Sequence, residues 1–292
     1  MRKVITNPLE LTPVENIEGL WVKREDLFAP FGLGNVNGGK LRQCWLLVDS
    51  IKDKYQGTIS CCSIHSPQAP ISAAVSNHFN LPCEIYYGGT KEESLAKLDM
   101  PKLVRLHKGE IKIFPSGRHS ILYSRARKNS EVENRFIISY GFNIIDYPEL
   151  ILGAVSNQVE NIPDELDNLI ITCGSCITTT GVLIGLKKFN KKVNKIIMVA
   201  TAPSRKKMIE ETLEKYNIDI EYEIIDLFHK KGFMYEKKEF AQLGDITLHP
   251  NYEAKTYNWL SRSNSGVNIH NNKNLFWIVG SEPKITECLP KI

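Results

Sequence analysis

The chain has 292 residues and a formal net charge of +4, with 42% hydrophobic and 24% charged residues, which is ordinary for a globular protein and does not by itself predict nucleic-acid binding. No apolar run is long enough to span a bilayer, and residues 1–6 lack the apolar core of a signal peptide. We therefore expect a cytoplasmic protein without a membrane partner, built as one large domain or two modest ones.

Strand and helix signals alternate along most of the chain. The predicted strands are compact apolar runs, typical of a sheet buried on both faces, at residues 20–22, 58–64, 83–87, 111–114, 142–145, 168–172, 195–200 and 220–225. Helices are predicted at residues 40–54, 71–79, 91–107 (interrupted by Pro101), 120–127, 149–160 and 204–216, with another ending at residue 186. Beyond residue 225 the alternation weakens, and the Asn-rich residues 264–274 predict a loop. The pattern predicts an α/β fold with open, mostly parallel sheets and helices on both faces.

A glycine-rich turn at residues 37–39 places Lys40 at the predicted start of a helix. Apolar residues follow it at spacings of three and four: Leu41, Cys44, Trp45 and Val48. First-turn amides and the helix dipole disfavour a cation, which makes a neutral amine or a covalent imine easier to hold at Lys40. Taken alone, however, so short a motif is better explained as a surface lysine after a turn.

A second strand-to-helix junction lies at residues 172–181. Gly174 permits a tight turn, Ser175 and Thr178 offer hydroxyls, and the amides at the helix start face whatever sits above them. These features predict a phosphate cradle, although the glycine spacing is that of neither a P-loop nor a Rossmann fingerprint. A simple N-cap turn is the alternative explanation.

Seven scattered cysteines do not predict a disulfide framework. Cys173 and Cys176 form a Cys-x-x-Cys pair, but a second pair or a suitably spaced histidine is missing nearby, so we expect no metal site. A redox pair is the other interpretation, and it carries less weight than a phosphate-binding loop at the same place.

Five segments in chain order resemble the fold-type II pyridoxal-phosphate enzymes, whose architecture is that of the tryptophan synthase β subunit. They are residues 23–26, 37–42, 66–75, 174–178 and 250–255. The likeness is closest to the branch that holds 1-aminocyclopropane-1-carboxylate (ACC) deaminase and D-cysteine desulfhydrase. Each segment is a weak signal, but five at similar separations indicate this fold and pyridoxal 5′-phosphate as the cofactor.

The resemblance implies two domains and a homodimer. The larger, cofactor-binding domain would comprise residues 1–44 and 141–292. The smaller α/β domain, residues 45–140, would close over the substrate.

The resemblance also implies a role for each matching residue. Lys40 is the Schiff-base lysine and moves the proton at the substrate Cα, and Tyr252 is an acid or base. Glu253 faces the pyridine nitrogen of the cofactor. The other matching residues are expected to bind the cofactor phosphate (Gly174, Ser175, Cys176, Ile177 and Thr178) or, in the case of Ser66, Pro67 and Gln68, the substrate. Ser66 is also a candidate catalytic residue.

The sequence departs from the family pattern at several of these positions. Gly39 and Pro67 stand where the family has asparagine, and Cys176-Ile177 replaces two glycines. The second active-site tyrosine of the deaminases has no clear match in the segment containing residues 231–233. These changes retain the cofactor prediction but weaken the prediction of cyclopropane ring opening.

Three functions follow from this resemblance. The first is a lyase or deaminase that carries out β-elimination or deamination of an amino acid. The second is an enzyme that modifies an amino acid attached to a nucleotide or nucleic-acid base, favoured by the basic residues between positions 118 and 135. The third is a relative that binds ligand without chemistry.

Overall fold

The computed structural model describes residues 3–142, 146–203, 205–262, 266–268 and 271–288. Its strands are β1 Val14–Ile17, β2 Leu20–Arg24, β3 Gly57–Cys61, β4 Cys83–Gly88, β5 Glu110–Phe114, β6 Arg135–Ile138, β7 Glu165–Cys173, β8 Lys192–Ala200, β9 Glu223–Asp226, β10 Gln242–Leu243, β11 Ile246–Thr247 and β12 Asn274–Ile278. Its α-helices are α1 Gly39–Ile51, α2 Gln68–His78, α3 Glu92–Leu95, α4 Asp99–Leu106, α5 His119–Glu133, α6 Pro148–Ser156, α7 Ile177–Lys188, α8 Lys206–Lys215, α9 Glu253–Arg262 and α10 Ile285–Cys288.

The chain divides into two compact units. Unit 1 consists of Met1–Pro30, Asn37–Gly39 and Leu152–Glu282, and unit 2 of Phe31–Val36, Lys40–Ile151 and Pro283–Ile292. One of the boundaries falls between Gly39 and Lys40, so these neighbours in sequence belong to different units. The domain limits inferred from the resemblance stay a prediction.

Unit 1 is built on a six-stranded sheet in the order β1-β2-β12-β7-β8-β9. Every neighbouring pair is parallel except β1 and β2. Alternate residues of β7 point to opposite faces: Leu169 and Ile171 pack in one apolar cluster with residues of α7 and α8, and Ile170 packs in another with residues of α9. Both faces of the sheet are therefore covered.

Unit 2 contains a four-stranded, fully parallel sheet in the order β5-β4-β3-β6. One face packs on α2 and α4 through Ala73 and Val104. The opposite face packs on α5 through Leu122 and Ala126. The predicted α/β class, with mostly parallel sheets and helices on both faces, is confirmed in both units.

Several predicted elements differ from the observed ones. Strands β6 and β12 were not expected, since β6 is short and β12 begins within the stretch predicted as an Asn-rich loop. The helix predicted over 91–107 is two helices, and Pro101 lies in the first turn of α4, where a missing N–H costs no helical hydrogen bond. The strand predicted at 142–145 lies, apart from residue 142, outside the described residues.

Four consecutive charged residues at the end of β2 are buried. On residue type alone they indicate a solvated loop, yet the exposed fractions of Lys23, Arg24, Glu25 and Asp26 are 0%, 2%, 0% and 7%. Lys23 donates to a carbonyl and a side-chain amide from elsewhere in unit 1, and Arg24 forms ion pairs with Asp26 and Glu15. Burial is tolerated because these charges are hydrogen-bonded and paired.

Candidate active site

Unit 1 fixes the backbone that leads into Lys40. The amide of Gly38 donates to the Phe28 carbonyl at 2.9 Å, and that of Gly39 donates to the Val279 carbonyl at 2.9 Å. The side-chain oxygen of Asn37 accepts the amide of Ser281 at 2.7 Å. The residues immediately before the candidate lysine are thereby held at three successive positions.

Gly38 can be only glycine without strain. Its φ is +89°, and an added Cβ would lie 2.3 Å from the Val279 carbonyl oxygen. We expect Gly38→Ala to lower the free energy of unfolding by about 3 kcal/mol, measured by urea denaturation. Gly153→Ala in α6 is the matched control, because a Cβ there meets nothing within 4 Å. That variant should gain about 0.5–1 kcal/mol, and equal effects of the two changes would contradict the assignment of strain to Gly38.

Glu253 is a buried carboxyl group with one oxygen left over. It opens α9 and has an exposed fraction of 0%. Its Oε1 accepts the amide of Val279 at 2.8 Å, whereas its buried Oε2 has no hydrogen-bond partner. Burial raises the pKa of Glu253 from 4.5 to about 8. Val279 therefore binds both Glu253 and Gly39, the residue directly before Lys40.

The loop between β7 and α7 is the predicted phosphate cradle. Cys176, the N-cap residue of α7, has a left-handed φ of 63°, and its side chain makes no capping hydrogen bond. A disulfide joins Cys173 and Cys176 across the loop. Beside it, Thr201 donates its amide to the Cys173 carbonyl, and its hydroxyl is fully buried without a hydrogen-bond partner.

Tyr252 lies next to this loop and is joined there by a tyrosine that the sequence did not reveal. A Cβ on Gly174 would be 3.8 Å from Cε1 of Tyr252. The hydroxyl of Tyr235 is hydrogen-bonded to that of Tyr252. Tyr235 lies two residues after the 231–233 segment, and this nearness was the signal in the sequence that could have identified it as the second tyrosine. The Tyr235 carbonyl accepts hydrogen bonds from Asn251 and Lys255, both at 2.8 Å.

Lys255 positions the segment that carries Tyr235. It is 2% exposed, and its ammonium donates to the carbonyls of Met234 and Tyr235 at 2.9 and 2.8 Å. We expect Lys255→Met to lower the free energy of unfolding by about 2–3 kcal/mol, because the carbonyls of Met234 and Tyr235 lose a charged donor that is itself buried. Urea denaturation measures this change. Lys207→Met, at an 88% exposed side chain, is the control and should change stability by less than about 0.5 kcal/mol; a similar loss there would contradict the interpretation.

Unit 2 carries Lys40 and the predicted substrate loop. Lys40 lies in the first turn of α1, as expected. Burial raises the pKa of the Cys62 thiol to about 12, and the charge of nearby Lys40 acts in the opposite direction. Ser66 and Pro67 lie at the start of α2, where the Ser66 hydroxyl accepts the amide of Gln68 at 3.3 Å.

Gln68 is occupied by protein contacts. It is 0% exposed, and its amide group donates to Ser60 Oγ at 3.2 Å and to the Ser139 carbonyl at 2.8 Å. Its side-chain oxygen accepts the amide of Gly141 at 2.7 Å. Both amide hydrogens are thus used within unit 2, and they hold the residues on either side of Tyr140.

The structure therefore brings the predicted residues together in two sets. The phosphate loop, Tyr252 and Glu253 belong to unit 1, together with Tyr235 and Thr201. Unit 2 contains Lys40 with Ser66, Pro67 and Gln68.

Solved structures of other proteins share this architecture. A homologue of ACC deaminase has a TM-score of 0.73 at 19% identity, covering 94% of this chain and 91% of that one. The chain has the fold of the fold-type II pyridoxal-phosphate enzymes. A pyridoxal 5′-phosphate-dependent aspartate racemase gives a TM-score of 0.60 at 12% identity, covering 96% and 92% of the two chains. Threonine deaminase isoform 2 of Solanum lycopersicum gives 0.60 at 15% identity, covering 95% and 85%.

One curated relative is similar along almost the whole sequence. It is the O-seryl-dTMP PLP-dependent decarboxylase of Salmonella phage ViI, 29% identical over 357 aligned positions, covering 97% of this chain and 81% of that protein. No protein-family model matches the chain. Among the described residues, no helix is long and apolar enough to cross a membrane.

Proposed function

We propose that this protein is a pyridoxal-phosphate-dependent enzyme that decarboxylates an amino acid carried by a nucleotide. The observation that carries the proposed substrate and reaction is the similarity, over 97% of the chain, to a decarboxylase of O-seryl-dTMP. The proposed substrate class, an amino acid attached to a nucleotide, is that of the second function predicted from the sequence. The reaction differs from the elimination or deamination that the resemblance implies.

The residues of unit 1 fit the cofactor. Glu253 Oε2 is a buried acceptor without a protein partner, as a protonated pyridine nitrogen requires. The uncapped start of α7 and the buried hydroxyl of Thr201 supply donors of the kind that bind phosphate. Residues 174–178 with Thr201 would hold the phosphate, and Glu253 would hold the ring nitrogen.

Bound pyridoxal phosphate supplies an electron sink for the bond that breaks at Cα. Lys40 would hold the cofactor covalently and would deliver a proton to Cα after the carboxyl group has left. Glu253, in its ionised form, would hold the ring nitrogen in its protonated state. In the net reaction the bond between Cα and the carboxylate breaks, carbon dioxide leaves and Cα gains one proton, so the product is a primary amine on the same nucleotide.

The substrate loop of unit 2 favours loss of the carboxylate. Pro67 offers no side-chain donor, and both amide hydrogens of Gln68 are bound to protein acceptors. Neither residue is arranged to stabilise a carboxylate strongly, and a weakly bound carboxylate is lost more easily as neutral carbon dioxide. Ser66 remains a candidate contact for this group.

Elimination with deamination is the second candidate. It is favoured by the hydrogen-bonded hydroxyls of Tyr235 and Tyr252, which suit proton transfer to and from a leaving group. In this reaction the bond between Cβ and the substituent oxygen would break, the nucleotide would leave as an alcohol, and water would convert the remaining enamine to ammonia and an oxo acid, with no carbon dioxide released.

Incubating the holoenzyme with O-seryl-dTMP and, separately, with free L-serine tests both candidates. Carbon dioxide and an amine formed from O-seryl-dTMP support the proposal. Ammonia and an oxo acid would replace it with the second candidate. A cofactor spectrum that changes although neither product forms would indicate the non-catalytic ligand-binding relative.

The homodimer stays a prediction, which the mass of the holoenzyme in solution tests.

A further inference from the structure

Unit 2 contains a cavity at the carboxyl ends of its parallel strands. Its volume is about 400 Å³, and it is lined by residues that follow β3, β4 and β5, namely Ser63, Gly89 and Gly117. His119, the first residue of α5, and Tyr140, two residues past β6, also line the cavity. This end of a parallel sheet is where α/β folds bind ligands.

Two rings and a glycine backbone shape this cavity. The ring centroids of His119 and Tyr140 are 5.1 Å apart in an edge-to-face arrangement. Where β4 ends, a Cβ on Gly88 would lie 2.0 Å from the Ser116 carbonyl oxygen, so backbone rather than side chains forms this wall. Such a surface suits a planar heterocycle, which can pack on rings and approach backbone closely.

Hydrogen bonds of Gln68 connect the cavity to the predicted substrate loop. Gln68 binds the Ser139 carbonyl and the Gly141 amide, and so fixes the two neighbours of Tyr140. Cys62 also lines the cavity, and the charge of Lys40 acts to lower the pKa of its thiol, against the larger effect of burial. A ligand in the cavity would therefore lie within the same unit and beside the groups expected to handle the amino acid.

Two basic residues lie on or next to the helix that begins with the lining residue His119. Arg118 lies between the lining residues Gly117 and His119, and the first turn of α5 contains no acidic residue. Arg127 lies on the same helix, with its guanidinium 5.0 Å from the ring centroid of Tyr123. The start of a helix attracts an anionic group such as a phosphate, and the positive charge of Arg118 adjoins that of α5 in sequence.

We propose that this cavity binds the pyrimidine base of a nucleotide-linked substrate. The base packs against His119 and Tyr140, and the nucleotide phosphate faces Arg118. This assignment rests on the proposed function, to which it adds a site for the nucleotide portion. It explains how a site for a small amino acid selects one attached to a larger anion.

Calorimetric titration of the holoenzyme with dTMP tests the assignment. His119→Ala and Tyr140→Ala should each weaken dTMP binding about tenfold, since base–ring stacking is lost, while the cofactor absorbance verifies the fold. Arg118→Ala should weaken dTMP more than thymidine, which lacks the phosphate. His229→Ala, at a 66% exposed side chain of unit 1, is the matched control and should bind dTMP as the wild type does.

The same variants separate this inference from the proposed function. The ratio of kcat/KM for O-seryl-dTMP to that for free L-serine should fall in His119→Ala and Tyr140→Ala. If the wild type decarboxylates O-seryl-dTMP and both variants keep its dTMP affinity, the base site is wrong and the proposed function stands. If the wild type neither binds dTMP nor converts O-seryl-dTMP, both fail. An oligothymidylate tests nucleic acid as the source of the base, and binding lost in the two variants supports the site.

Discussion

Lys40→Ala is expected to abolish turnover, with a loss of about 10³-fold or more, because we propose that this residue supplies both the covalent attachment of the cofactor and the proton at Cα. The visible absorbance of protein incubated with pyridoxal phosphate should also disappear. Absorbance spectroscopy and product formation from O-seryl-dTMP measure the two effects. The position of the lysine supports this expectation, since it lies in the first turn of α1 directly after three residues that hydrogen bonds within unit 1 hold in place.

Two further variants separate covalent attachment from charge and from folding. Lys40→Arg keeps a positive charge but forms no Schiff base, so it should lose the absorbance as fully as Lys40→Ala does. Lys54→Ala changes an exposed lysine just past the end of α1 and should retain both the absorbance and turnover. Absorbance that persists in Lys40→Ala would show that another amine holds the cofactor.

Local signals predicted part of the site. Glycines next to Lys40 and at Gly174 mark turns, and the apolar periodicity that follows them marks helices, so both strand-to-helix junctions can be read from neighbouring residues. The family resemblance added Glu253 and Tyr252. The assignment of all these residues to catalysis or cofactor binding stays a prediction.

The remainder depends on contacts between distant parts of the chain. Gln68 matches a substrate-binding motif in sequence, but its partners Ser139 and Gly141 follow more than 70 residues later. Thr201 has no motif, and only the fold reveals its buried hydroxyl. The charged residues at the end of β2 predict a solvent-exposed loop from their type alone. The structure shows that they are buried, with partners distant in sequence such as Asn161, which accepts a hydrogen bond from Lys23. Sequence identifies such residues by type, whereas their burial and pairing follow from the tertiary structure.

Glu253→Gln should make the free energy of unfolding of the apoprotein less dependent on pH. Burial raises the pKa of Glu253 to about 8, so the folded protein holds this proton more tightly than the unfolded chain, in which the pKa is near 4.5. The associated stability is fully present below the unfolded value and is lost as the pH rises through about 8. Urea unfolding of wild-type apoprotein should therefore show a fall of a few kcal/mol across this interval, which the glutamine variant lacks.

In the holoenzyme, the same substitution should lower turnover. A neutral amide lacks the charge that keeps the pyridine nitrogen protonated, so turnover of O-seryl-dTMP should fall by about 10²-fold, while Lys40 still gives the visible absorbance of attached cofactor. Glu160→Gln, at an exposed carboxylate of unit 1, should leave turnover and the pH dependence of unfolding unchanged. Equal pH dependence in wild-type and Glu253→Gln apoprotein would contradict the buried, proton-binding state of Glu253. Retained turnover in Glu253→Gln would instead remove its assigned role at the ring nitrogen, so the two measurements test burial and catalysis separately.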